Sequence, residues 1–207
     1  MNTRVFFVTD VHGSERCFKK FLNAGKFYKA NAIMLAGDIT GKMIVPIVKQ
    51  PDGTYLSSYA GSDIRCKSES EVQDLEKSIR DSGYYPYLTE PNEMASLEAD
   101  KNKVNQLFTK LMVDTVVRWV QMAEERLRET GIRCFVSPGN DDRWEVDEAL
   151  NKSKTITNPE EKVVELDQHH EMITLGSTNH TPGRVPENSR KRSLRKESTR
   201  WLQASRT

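Results

Sequence analysis

Three short apolar runs along this chain each stop at a small polar cluster, and that arrangement constrains the fold more than any other feature. Residues 4–9 (RVFFVT) end at Asp10-Val11-His12. Residues 31–36 (NAIMLA) end at Gly37-Asp38, and residues 132–137 (IRCFVS) end at Pro138-Gly139-Asn140-Asp141-Asp142. Short runs of this kind, closed by turn formers, suit buried strands of a parallel or mixed sheet. In open α/β sheets, ligands bind beyond the carboxyl ends of the strands. Three polar clusters at three such ends predict one shared site.

The segments between the runs complete an α/β pattern. Ser14 is placed to cap a helix whose inner face carries Cys17, Phe18, Phe21 and Leu22. Residues 43–59 read as a hairpin turning at Pro51-Asp52-Gly53. A charged helix follows over 69–82, and Gly83-Tyr84-Tyr85-Pro86-Tyr87 breaks it. One long helix is expected over 92–130, with Val104, Leu107, Phe108, Leu111, Thr115, Trp119, Met122 and Leu127 as its core stripe and Gly131 as its stop. A helix around 143–151 and two strands, 162–166 and 171–175, joined at Gln168-His169, close the pattern.

Charge and cysteine usage bound the partners. The net charge of +1 over 207 residues gives no global argument for nucleic acid or a membrane surface. Residues 184–207 nonetheless hold eight Lys/Arg against two acids. This basic tail is expected to be solvated and disordered, and a nucleic-acid contact is its alternative role. Residues 1–183 form the expected domain. Three scattered cysteines (Cys17, Cys66, Cys134) without a CxxC pattern read as reduced thiols. There is no signal-peptide layout and no apolar run near the ~20 residues of a membrane helix, so a cytoplasmic protein without a membrane partner is expected.

The clusters carry metal-site chemistry. Asp10 and Asp38 offer carboxylates, His12 an imidazole and Asn140 an amide oxygen. This mixture suits Mn, Fe or Zn. Any one of these residues alone would be an ordinary cap or turn former; their joint occurrence at three strand ends sets them apart.

Asp-x-His, then Gly-Asp, then Gly-Asn, with the flanking text Val8-Thr9-Asp10-Val11-His12-Gly13 and Leu35-Ala36-Gly37-Asp38-Ile39-Thr40-Gly41, resembles the signature of calcineurin-like metallophosphoesterases over about residues 4–183. The resemblance implies an αββα sandwich, here mainly its N-terminal half, with a hairpin-plus-helix cap inserted at about 42–91. It implies two divalent ions, with Asp10 and His12 on the first, Asp38 bridging and Asn140 on the second. It further implies a small phosphoester substrate and Asp38, Asn140 and Asp141 in catalysis.

Two departures from the family pattern stand out. Asp141-Asp142 replaces the family's histidine, so either Asp141 acts as an acid beside Asp142 or the leaving group, phenolic or nucleotide, needs none. No Gly-His-x-His follows Asn140: His169 and His170 read as turn residues, and His180 lies in a loop that could border the site. The chain is thus expected to be a phosphohydrolase, or a truncated or impaired relative serving as a binding module, or a homo-oligomer that supplies ligands from a second copy.

Overall fold

The computed structural model describes residues 2–176; His180 and the basic segment 184–207 lie outside the described residues. In chain order the elements are β1 (Val5–Thr9), α1 (Glu15–Phe27), β2 (Ala32–Ala36), β3 (Ile44–Lys49), β4 (Tyr55–Tyr59), β5 (Ser62–Cys66), α2 (Glu69–Asp81), β6 (Tyr85–Thr89), α3 (Pro91–Ala99), α4 (Lys101–Leu127), β7 (Arg133–Val136), α5 (Glu145–Asn151), β8 (Ile156–Thr157), β9 (Val163–Asp167) and β10 (His170–Ile173). The fold is mixed α/β.

A parallel sheet in the order β1-β2-β7-β8 positions the site. Its order advances in one direction without reversal. Right-handed crossovers therefore put the connecting helices on one face, and side chains of α1, α4 and α5 share one core with the sheet. Phe18 of α1 stacks on Trp119 of α4 with centroids 4.2 Å apart. Ser14 caps α1 through the Cys17 N–H at 3.2 Å, as its sequence position predicts.

Two expectations about this layer need correction. Residues 4–9 were expected to form a buried strand, but among the described residues β1 has β2 on one side only, and it alternates exposed with half-buried residues. Phe7 is 56% exposed. The buried strand is β2, paired on both sides, with Ala32 to Leu35 buried and Ala36 half-buried. Cys17 is exposed rather than on the inner face of α1, because it lies about 100° around the helix from Phe18.

The other sheet face is covered by the antiparallel β9–β10 hairpin. Val164, Leu166 and Met172 from the hairpin pack on Ala32, Met34 and Phe135. Among the described residues this second layer has two strands, so its cover is partial, and Ile173 remains 53% exposed.

The insertion forms a four-stranded sheet of its own, in the order β5-β4-β3-β6, packed against α2. The hairpin and the charged helix lie where the sequence pattern predicts. Residues 83–87, however, do not merely break a helix. Gly83 makes the turn, and β6 then adds parallel to β3 with Tyr85 opposite Ile44. The expected single helix over 92–130 is two. Asp100 separates them and caps α4 by accepting from the N–H groups of Asn102 and Lys103. Val104, expected in the core stripe, is exposed near the α4 start. No helix among the described residues is long and apolar enough to cross a membrane.

Candidate metal centre

The loops after β1 and β2 are bonded to each other along their length. The N–H groups of Asp10, His12 and Gly13 donate to the carbonyls of Ala36, Asp38 and Ile39 at 3.1, 3.1 and 2.9 Å. This places Asp10, His12 and Asp38 so that one ligand atom from each lies within 4.8 Å of the others. Asp10 and His12 both hold positive φ, 56° and 44°. Non-glycine residues there are uncommon, and such strain concentrates at functional sites.

The third strand end joins through the Asp142 carboxylate. Asp142 is fully buried. It accepts from the N–H groups of Ile39 (2.9 Å), Thr40 (2.8 Å) and Gly139 (2.7 Å), and from the Thr40 hydroxyl. Burial pushes its carboxyl above the ordinary value, and these four donors oppose that rise. Asp142 thus clasps the loop after β7 to the loop after β2. Glycine at 139 makes the approach possible, since a Cβ there would lie 2.4 Å from Asp38 Oδ1 and 2.5 Å from the Asp38 nitrogen.

Asp141 donates its N–H to Asp38 Oδ1 at 3.1 Å. Its carboxylate meets Lys42 Nζ at 2.8 Å and accepts from the Asn140 amide at 2.9 Å. One of the two sequence readings has Asp141 act as an acid beside the Asp142 carboxylate. Instead, Asp142 is engaged with backbone donors and Asp141 with a lysine. Lys42 was not singled out from the sequence. Its ammonium also lies 3.8 Å from Asp38 Oδ2, and its hydrogen bond to Asp141 holds it above the ordinary lysine range. Asn140 lines a cavity of about 430 Å³ together with Asp10, Asp38, Ser137 and the segment 172–176. His169 and His170 lie on the β9–β10 hairpin, where the His170 ring engages Asp167 at 2.8 Å.

The insertion is tied to this centre through Tyr85. The phenol oxygen accepts from the Gly41 N–H at 2.7 Å and also meets the Thr40 hydroxyl; burial pushes its pKa well up. Tyr85→Phe would leave the Gly41 N–H without that acceptor. We expect the variant to lose about 1–3 kcal/mol of stability in urea unfolding.

The donor set fits a divalent cation. It combines two carboxylates with one imidazole. His12 Nδ1 is buried and has no hydrogen-bond partner, a costly state for a polar atom unless something else engages the ring. Comparison with family models, with curated proteins and with solved structures finds no match for the chain.

Proposed function

We propose that the protein is a metal-dependent phosphohydrolase acting on a small phosphomonoester or phosphodiester, a relative of the calcineurin-like metallophosphoesterases with their sandwich architecture. The observation that carries this reading is the convergence of Asp10, His12 and Asp38 beside an unpartnered imidazole nitrogen. Two divalent ions, Mn, Fe or Zn, are assigned to it. Asp10 and His12 would hold the first and Asn140 the second, with the Asp38 carboxylate contributing to the pair. Such a pair, when bound, would lower the pKa of a water held between its members and offset charge on the phosphoryl oxygens.

The chain's own residues supply position and charge. The Asp141 N–H fixes one oxygen of Asp38, and the Asp142 clasp sets the spacing between Asp38 and Asn140. Asp141 is ion-paired with Lys42. A phenolic phosphate, whose leaving group needs no acid, therefore suits this site better than an alkyl ester. Two buried thiols and one exposed one, all unbridged, support a cytoplasmic setting.

A second reading, a binding module holding one ion, is favoured by the presence of a single histidine in the one metal-type group among the described residues. Two measurements separate the readings: metal content per chain, and hydrolysis of bis-p-nitrophenyl phosphate with Mn²⁺ before and after a chelator. We expect two ions and a rate lost on chelation and restored by Mn²⁺. One ion and no turnover would establish the module; a rate indifferent to metal would overturn both.

A further inference from the structure

We propose that Lys42 is the residue that grips the phosphoryl group, held in reserve by Asp141 until a divalent ion occupies Asp38, and that it selects dianionic phosphomonoesters over monoanionic diesters. This inference rests on the metal-centre reading above.

Lys42 Nζ lies 2.8 Å from Asp141 Oδ2 and 3.8 Å from Asp38 Oδ2. Its backbone cannot follow a moving side chain. The preceding residues are pinned, Thr40 N–H to Asp142 and Gly41 N–H to Tyr85. The side chain itself is 54% exposed, so its ammonium can swing while the loop stays fixed. Asp141 is likewise anchored by its own N–H to Asp38. Lysine and a divalent ion therefore compete for one carboxylate. The Lys42 ammonium would be repelled by an ion on Asp38 and its attraction to that residue weakened. A phosphoester bound at such an ion would then be the strongest anion within the lysine's reach. Lysine is a strong phosphate donor in such settings. A dianionic ester gains more from one extra cation than a monoanion does, which gives the preference.

The test uses the full chain and the variants Lys42→Met and Lys42→Arg. Mn²⁺ binding is followed by electron paramagnetic resonance, and inorganic phosphate binding to the Mn²⁺-loaded proteins by calorimetry. Lys42→Met is expected to bind Mn²⁺ about fivefold more tightly, because the competing ammonium is gone, and phosphate about tenfold more weakly. Lys42→Arg, which keeps the charge, is expected to retain phosphate binding within about threefold. Unchanged phosphate affinity in Lys42→Met, with Mn²⁺ still held and still dependent on Asp38, overturns the role of Lys42 and leaves the metal centre standing. Failure of the unmodified chain to bind Mn²⁺ removes both.

Discussion

Replacing Asp142 with alanine is expected to lower the unfolding free energy by about 3–5 kcal/mol and to open the metal centre without removing any of its ligands. The carboxylate is fully buried and serves three backbone N–H groups and one hydroxyl from two loops. Alanine would leave those donors buried and unpaired, and each costs about 1–3 kcal/mol. The loops after β2 and β7 would then be joined chiefly by the Asp141 contacts to Asp38 and Lys42, loosening Asn140 relative to Asp38. Asp142→Asn should lose nearly as much, because the amide NH₂ would face N–H groups. Urea unfolding of both variants, with Mn²⁺ affinity measured in parallel, checks this. Stability within about 1 kcal/mol of the unmodified protein would show that other contacts hold the loops together.

Asp38→Asn is expected to act in the opposite way, sparing the fold and removing the chemistry. The asparagine side-chain oxygen can still accept from the Asp141 N–H that now donates to Asp38 Oδ1, so stability should change by less than about 1 kcal/mol. What would disappear is the Asp38 carboxylate charge that the proposed ions require. Loss of a directly ligating carboxylate should weaken Mn²⁺ binding by more than about 100-fold, since even outer-shell partners are worth 10–100-fold. Mn²⁺-dependent phosphoester hydrolysis should fall by about 10³-fold. Circular dichroism, Mn²⁺ binding and turnover on the same preparation check the three parts. A variant that keeps full turnover would exclude Asp38 from the site.

Some of the site could be read directly along the chain. A run such as residues 31–36 encodes its strand in a few adjacent side chains, and Gly37-Asp38 marks where it ends. The same local logic identified Ser14 as a cap and residues 69–82 as a helix, and both appear in the structure. Where the pattern was ambiguous, the missing information lay in distant partners. Residues 4–9 look as apolar as 31–36, yet among the described residues β1 has one neighbouring strand and β2 has two. Tyr85-Pro86-Tyr87 reads as a breaker until β3 lies alongside to pair with it. A helical stripe over 92–130 does not reveal that Asp100 turns its side chain onto the next N–H groups and starts a new helix.

The sequence by itself thus determined that three strands end in Asp10 and His12, in Gly37-Asp38 and in Gly139-Asn140, because those signals need only neighbouring residues. The tertiary structure decided what the remaining polar residues do. Asp142 reaches Ile39 and Thr40 across 103 and 102 residues of chain, and Lys42 meets Asp141 across 99. Adjacent aspartates are identical in the sequence. Folding separates them because one is buried among backbone N–H groups, which need an acceptor, while the other stays at the surface, where a lysine can reach it.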